Sequence, residues 1–495
     1  MRLGNLILPG DRLENGDPRL TVTGIFYDSR KDLRGGVFFA LPGANTDGDL
    51  HAAEALRKGA AAVVSRSDAP AGLPPGAAWV KAADITATFS HAAAEFNGRP
   101  SEKLKVIGVT GTNGKTTITY MLEAVFSRLG MKPGVIGTVN YRVGGEVISS
   151  APNTTPMAPD LHALLAKMAE AGSRAAVMEV SSHSLALSRA DSVKFDCAVF
   201  TNLQSDHLDF HKDRDNYLLA KLRLFTLTAA SGKEGRAAVV NADEPSAEEV
   251  TRAAAGSKVL TYALDKPADI TAGAPEYGHD GINFTLHTPA GEAPVKLRLF
   301  GRHNLYNALA SAGAAHALGV SPADIAAGLE ALDKVPGRLE PVRAGQDFQI
   351  FVDYAHTADA LESVLKSLRG VPGRRLITVF GCGGDRDRGK RAPMGRAACS
   401  LSDLAFITSD NPRTEDPAAI VAEIEAGVKN AHSNYTVIPD RRAAIRAAVA
   451  AAGPGDIVLI AGKGHEDYQV LGRETVRFSD AEEAAQAVKA GKGAA

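Results

Sequence analysis

The sequence predicts an α/β fold in three domains, and three observations carry that prediction. From Leu104 onward, apolar runs of strand length alternate with helical patterns, which implies mainly parallel sheets covered on both faces. The chain has 495 residues, whereas a single core stops growing at roughly 250–300. The pattern also changes near residue 103 and again at Pro336, giving expected domains 1–102, 103–335 and 336–495.

The first segment mixes short apolar runs ("GGVFFAL", "GAAAVVS") with an Ala-rich helical pattern at His51–Lys58 and a Pro/Gly loop, "DAPAGLPPGAA". It closes on the helix-like "ITATFSHAAAEF" and reads as a small α/β domain. In the second, "KVIGVT" predicts a strand, "TTITYMLEAVFSRLG" a helix with apolar spacing of three and four, and "KPGVIGTV" the next strand. "APDLHALLAKMAEAG" follows as a helix, then "RAAVMEV", "DCAVFTN" and "GRAAVVNAD" as buried strands. Period-two alternation around glycines over 258–300 predicts an antiparallel extension, and "GRHNLYNALASAGAAHALG" and "SPADIAAGLEALDKV" predict helices. In the third, five strands ("FQIFVDYAHT", "RRLITVFGCGGD", "LAFITSDN", "YTVIPDR", "DIVLIAGKGHE") are separated by helical patterns, a Rossmann-like arrangement. All five end in polar, charged or Gly-rich residues, and open α/β sheets bind ligands outside those ends.

Lys+Arg number 55 and Asp+Glu 57. That balance argues against a nucleic-acid-binding surface spread over the protein. The three cysteines, Cys197, Cys382 and Cys399, lack C-x-x-C spacing, so no disulfide framework or cysteine zinc site is expected and a reducing cytoplasm is the expected location. No apolar leader and no membrane span are read.

The stretch "GVTGTNGKTT" at 108–117 lies between a strand and a helix, where a phosphate-binding loop belongs. Gly111 and Gly114 let backbone N–H groups converge on phosphate oxygens, with Thr112, Asn113 and Thr117 in the same loop. Lys115 is expected on the β- and γ-phosphates and the Thr116 hydroxyl on Mg²⁺. The spacing departs from the strict G-x-x-x-x-G-K-[ST], since position 109 is valine. A Mg²⁺–nucleotide site also needs oxygen ligands, usually a strand-end carboxylate. Glu179 ends an apolar strand; a cap or surface charge is the plainer reading of it alone. "TNLQSDHLDFH" packs Asp206, His207, Asp209 and His211 into six residues, which suits either a histidine beside Mg²⁺ or a capped helix start. Lys221 sits among apolar residues on a helix and reads equally as a snorkelling surface lysine. Finally "DNPR" at 410–413 ends a buried strand, and turn chemistry explains its Asn-Pro pair but not the guanidinium of Arg413.

"TGTNGKTT", "NTTP" at 153–156, "MEVSSHSLALSR", "TNLQSDHLDFH", "AKLRLF", "GRHNLYNALAS", "PGRLE" and "DYAHTADAL" occur in one order across all three segments. Together they resemble the Mur ligases, the ATP-dependent amide-forming ligases of peptidoglycan-precursor synthesis. The resemblance implies a central domain of P-loop type and an acyl-phosphate mechanism. "YDSR" at 27–30, "GCGGDRDRGKR" and "DNPR" narrow the expected substrates to UDP-N-acetylmuramoyl-L-alanyl-D-glutamate and meso-diaminopimelate. Lys115 and Thr116 would hold ATP and Mg²⁺, Glu179 and His207 would complete a metal site, and Lys221 would be carbamylated as a ligand for a second Mg²⁺. Asn304 and Asp353 would contact the adenosine and Arg338 the phosphates. Ser29 would meet the uridine part, and Asn153, Thr154, Thr155, Ser181 and Arg189 the muramoyl-dipeptide. Some relatives carry glutamine where this chain has Leu187, so one contact must be absent or replaced.

Meso-diaminopimelate differs from L-lysine by one extra carboxylate, so a pocket that prefers it needs a cation. Arg413 would bind that carboxylate, with Asp410, Asn411 and Pro412 of its loop beside the ammonium, and Arg386, Gly462 and Glu466 in the same pocket. The plainer alternative pairs Arg413 with Glu415 or Asp416 on the surface. No residue emerges as base for the incoming amine. A monomer is expected, with neither nucleic acid nor membrane as partner. Two rivals stand beside this reading. A sister ligase would add L-lysine, or glutamate to folate, although a folate enzyme has no need of the "YDSR" domain. A nucleotide-switched binding protein would have little use for Glu179, His207 and Lys221 together.

Overall fold

The computed structural model describes residues 1–492 except 44, 45, 205, 279 and 372. Contacts divide it into two units: Met1–Asp269 with Ala310–Val320, and Ile270–Leu309 with Ser321–Ala495. Mixed α/β layering with mostly parallel sheets, as expected, holds in both.

The first unit carries two sheets. The smaller runs Arg12–Asn15, Ala78–Lys81, Ala62–Ser65, Val37–Phe39, Ile25–Phe26, parallel except for its first strand. The helix Ile85–Phe96 covers one face; Asp84 starts it by accepting from the amides of Thr86 and Ala87. Its Phe89 shares a core with Val37, Phe39 and Val80, and Ala158 of the next domain's helix Ala158–Glu170 joins that core. The larger sheet has eight strands in the order Lys258–Tyr262, Ala237–Asn241, Cys197–Phe200, Lys105–Thr110, Ala175–Glu179, Gly134–Ile136, Asn140–Val143, Glu146–Ser150. The first six are parallel, and the last five of these match the apolar runs that predict them. Lys105–Thr110 is central, and Val109 pairs with Glu179 and Thr110 with Phe200, so three strand ends open onto one crevice.

The antiparallel expectation for 258–300 needs correcting at its start. Lys258–Tyr262 pairs parallel with Ala237–Asn241. A parallel edge strand half exposed on one face alternates just as an antiparallel strand does, so period two does not separate them. Thr271–Gly278, Gly281–Thr288 and Gly291–Leu297 do form an antiparallel sheet, packed against the helix Pro322–Glu330 in the second unit.

The second unit's main sheet runs Glu340–Pro341, Gln349–Asp353, Ile457–Ala461, Leu376–Cys382, Leu404–Ser409, Tyr435–Val437, all parallel after the first strand. Separate apolar cores cover its two faces. Asp353 pairs with Ala461 and Cys382 with Ser409, so the loops that follow leave the same edge. A hairpin, Tyr468–Leu471 with Glu474–Arg477, extends from that edge.

Candidate active site

The first unit presents the phosphate loop between Lys105–Thr110 and the helix Lys115–Arg128. Gly111 (φ +147°) and Gly114 (φ +90°) hold conformations closed to other residues, and a Cβ on Gly111 would fall within the Thr201 side chain. The loop is laced to the segment 201–204. Thr112 N–H donates to Asn202 O (2.9 Å), Asn113 N–H to Asn202 Oδ1 (2.9 Å) and Thr201 Oγ1 to Asn113 O (2.6 Å). Lys115 Nζ donates back to the carbonyls of Gly111 and Thr112, both at 2.8 Å. Thr116 and Thr117 are buried at the helix start.

Beside this loop, Glu179 is a carboxylate 1% exposed at the end of its strand. Thr138 holds it from both atoms, N–H to Oε1 at 2.8 Å and Oγ1–H to Oε2 at 3.0 Å. The Thr138 hydroxyl also lies 3.1 Å from that of Thr154. Thr155 donates to Glu179 O (2.8 Å) and accepts from Ser181 N–H (3.1 Å), while Arg189 Nη1 donates to Thr155 O (3.0 Å). Tyr141 OH fixes the Asn153 carbonyl at 2.6 Å. Asn153, Thr154, Thr155, Ser181 and Arg189 are therefore one cluster continuous with Glu179. The Nε of Arg189 is buried without a partner among the described residues, and burial pulls that guanidinium below its usual pKa. Leu187 stays exposed. Ser29 lies on the smaller sheet's loop, where its carbonyl accepts from Lys58 Nζ at 2.7 Å; Tyr27 in that loop donates to Asp160 at 3.0 Å.

Lys221 is 1% exposed, and its ammonium rests over the Tyr217 ring at 4.1 Å. Tyr217 OH in turn meets Thr112 Oγ1 at 3.2 Å. Burial, then the Lys115 charge, push the Lys221 amine well below its ordinary pKa. This overturns the snorkelling alternative: the side chain points inward. His207 (φ +55°) pairs with Asp206 at 3.5 Å and stacks edge-on to His183, while His211 meets Ser182 Oγ at 2.9 Å. Ser205 and the side chain of Asp209 lie outside the described residues. Among the described residues, no three His, Cys, Asp or Glu converge to hold a metal.

In the second unit, Arg413 (φ +53°) is fixed by its own backbone, its N–H donating to Val470 O (3.1 Å) and its carbonyl accepting from Gly472 (2.8 Å). Among the described residues the guanidinium donates only to carbonyls, Gly384 O at 2.9 Å and Asn411 O at 3.4 Å. Glu415 is occupied by Arg391 (2.9 Å) and Arg388 (3.1 Å), and Asp416 caps the helix Pro417–Ala426, so the surface-pair alternative for Arg413 fails. Asn411 donates to Glu466 Oε2 at 2.9 Å. Gly462 (φ +120°) lies against Asp410, where a Cβ would press on Oδ2. Pro412 is buried between these groups, whereas Arg386 is exposed and donates to Asp385 O at 3.0 Å. Arg441 is paired with Asp480 at 2.7 Å and Lys463 with Glu466 at 3.3 Å. Among the described residues, Asp410 and Arg413 have no ion-pair partner, and neither do Asp385 and Arg386 of the neighbouring loop.

The same unit carries Asn304, Arg338 and Asp353. Asn304 Nδ2 donates to Phe300 O (2.8 Å), and Arg338 lies over the Tyr354 ring at 4.9 Å. Asp353 accepts from the amides of Leu339 and Ala355, both at 2.8 Å, and burial raises its pKa against the opposing pull of Arg338.

Residues 109–315 match the Mur ligase middle domain and 337–464 the Mur ligase, glutamate ligase domain. The chain is 44% identical to the UDP-N-acetylmuramoyl-L-alanyl-D-glutamate–2,6-diaminopimelate ligase of Geobacter metallireducens, over 98% of each chain. The chain is a Mur ligase. The namesake enzyme of Alkaliphilus metalliredigens is also 44% identical, over 97% of this chain and 96% of its own. A solved structure of UDP-N-acetylmuramoyl-L-alanyl-D-glutamate–2,6-diaminopimelate ligase superposes with TM-score 0.73 and 33% identity over 99% of both chains. MurF of Thermotoga maritima in complex with ADP shares the fold, at TM-score 0.61 and 22% identity.

Several residues that build this Mur ligase's site escape a sequence reading: Thr138, Tyr217, Lys463 and Gln469. Gln469 donates to the Asp410 carbonyl at 2.6 Å from the hairpin. Thr138, Lys463 and Gln469 act on partners far along the chain, and Tyr217 acts on Lys221 through the packing of the helix they share. The oxygen donors near the phosphate loop suit Mg²⁺, but an ammonium does not ligate a cation, so Lys221 fits only as a carbamate. Its burial with no ion pair among the described residues suits that conversion.

Proposed function

We propose that this Mur ligase joins the amine of meso-diaminopimelate to the free side-chain carboxylate of D-glutamate in UDP-N-acetylmuramoyl-L-alanyl-D-glutamate, using ATP, in peptidoglycan-precursor synthesis. The observation that carries the choice of amine is the pair of uncompensated charges, Asp410 and Arg413. They complement an ammonium and a carboxylate on one carbon, which diaminopimelate has at its far end and lysine lacks. Leaving a desolvated Arg413 unpaired beside lysine costs on the order of 2–5 kcal/mol.

Residues 1–102 are assigned to the uridine part through Ser29, 103–335 to ATP, and 336–495 to the incoming amino acid. The loop Gly111–Thr117 cradles the phosphates, and Asn304, Arg338 and Asp353 are assigned to the nucleotide by family resemblance. Asn153, Thr154, Thr155, Ser181 and Arg189 orient the dipeptide, and Arg386, Asn411, Pro412, Gly462 and Glu466 complete the amine pocket. A carboxylate oxygen of the D-glutamyl group attacks the γ-phosphorus and ADP leaves, giving an acyl phosphate. Lys115 offsets charge on the transferring group in place of water. Thr116, Glu179 and His207 would hold Mg²⁺ and carbamylated Lys221 a second Mg²⁺, which would supply further charge neutralisation. The neutral amine nitrogen then attacks the acyl carbon, loses a proton, and phosphate departs as the amide forms.

The cytoplasm is the expected compartment, given ATP use and three unpaired cysteines. No helix among the described residues is long and apolar enough to cross a membrane. The testing experiment is ADP release with ATP, Mg²⁺ and the UDP-substrate, comparing meso-diaminopimelate with L-lysine. Release that depends on diaminopimelate supports the reading. Equal release with lysine removes the amine assignment, and none with either removes the ligase reaction.

A further inference from the structure

Lys463 is 0% exposed, yet the strand-end loop that carries it opens on the amine pocket. Its ammonium donates to Asn411 Oδ1 at 3.0 Å and to Glu466 Oε2 at 3.3 Å. Asn411 Oδ1 also accepts from Val470 N–H at 3.0 Å, which leaves the amide only one orientation, its Nδ2 toward Glu466. A carboxamide can be turned over at little cost when its partners are ambiguous; here two donors fix its oxygen. Burying a lysine is expensive unless it is paired and hydrogen-bonded, and this one is both.

Its charge matters as much as its hydrogen bonds. Lys463 on Glu466 and Arg441 on Asp480 cancel four of the pocket's charges, while Asp410 and Arg413 have no ion-pair partner among the described residues. Without Lys463, Glu466 becomes a second uncompensated anion. The far end of diaminopimelate is a zwitterion, whereas that of lysine is a lone cation. Added negative charge therefore penalises the first relative to the second.

We propose that Lys463 is a positioning and specificity residue for the incoming amine. It orients Asn411 and cancels the charge of Glu466, so that the pocket prefers a zwitterionic end over a lone ammonium. This inference rests on the diaminopimelate reading above.

The test is steady-state kinetics of the full chain carrying Lys463→Met, with both amines, each varied at saturating ATP and UDP-substrate. Expected is a rise of tenfold or more in KM for diaminopimelate, with KM for ATP and the UDP-substrate unchanged. The ratio of kcat/KM for diaminopimelate over lysine falls by about tenfold, equivalent to about 1.4 kcal/mol. Lys463→Gln keeps the donors without the charge, so it recovers part of the KM while the ratio stays low; it also serves if the methionine variant does not fold. Adding Glu466→Gln to Lys463→Met removes both charges and raises the ratio again. A purely structural role lowers thermal stability and shifts both amines alike, and an unchanged ratio in Lys463→Gln would overturn the proposal. Wild-type enzyme without preference for diaminopimelate in the same assay would instead remove the underlying reading of the amine, as would preference that survives Arg413→Ala.

Discussion

Replacing Arg413 by alanine removes the cation on which the amine assignment depends. An arginine has five N–H donors, and among the described residues only Nη1 is engaged, with Gly384 O at 2.9 Å and Asn411 O at 3.4 Å. The remaining donors are available to a carboxylate in bidentate geometry. Truncating one partner of such a pair costs about 2–5 kcal/mol, which is roughly 30- to 5,000-fold in kcat/KM for diaminopimelate. Stability changes little, because the hydrogen bond to Gly384 contributes about 1 kcal/mol and alanine is no worse than arginine at φ +53°. Arg413→Lys keeps the charge without the planar fork and recovers only part of the loss. The assay is coupled ADP release with diaminopimelate varied against saturating ATP and UDP-substrate. A kcat/KM within threefold of wild type, in a variant with unchanged melting temperature, refutes the assignment of Arg413 to the substrate.

Thr138→Val removes the hydroxyl that holds Glu179 Oε2 at 3.0 Å. A hydrogen bond to a charged group contributes about 1.5–3 kcal/mol, so kcat should fall about 10- to 150-fold while KM for diaminopimelate stays constant, as read by the same assay. Lys221→Met should abolish turnover, and Lys221→Ala should regain part of it with added acetate or formate; wild type stripped of CO₂ should recover with bicarbonate. Activity of Lys221→Met near wild type would exclude the carbamate. His162 is fully buried with both ring nitrogens unpartnered among the described residues, and burial lowers its pKa to about 4. The unfolded ring, with a pKa of about 6.5, binds the proton that the folded one refuses, so stability is lost as pH falls from about 6.5 towards 4. His162→Leu removes that loss. In urea titrations its advantage over wild type should be about 2 kcal/mol larger at pH 5 than at pH 7.5.

The legible part of this protein is what local pattern dictates. Buried parallel strands announce themselves as apolar runs, and the phosphate loop as glycines that reach conformations other residues avoid. The polar strand ends from Asp353 to Glu466 announce a crevice because a parallel sheet brings its carboxyl ends to one edge. Lys258–Tyr262 misled because a half-exposed edge strand alternates whichever way its neighbour runs. The hairpin Asn140–Ser150 was invisible because its outer strand is mostly exposed and carries no apolar signal. Tyr217 beneath Lys221 is a helix neighbour whose role depends on where the helix packs. Thr138 and Lys463 act on Glu179 and Asn411 across 41 and 52 residues, a link that register and loop geometry create and spacing does not. Arg413 stands between these cases: its type and place at a strand end were readable, whereas its lack of a carboxylate partner required the surrounding pairs to be seen.

The most direct test of the central claim is a competition read by mass spectrometry. Enzyme, ATP, Mg²⁺ and UDP-N-acetylmuramoyl-L-alanyl-D-glutamate are given equimolar meso-diaminopimelate and L-lysine, and the UDP-linked products are weighed. The expected result is the diaminopimelate tripeptide in large excess. A product that is mainly the lysine tripeptide, or dipeptide left unextended while ATP is bound, contradicts the account.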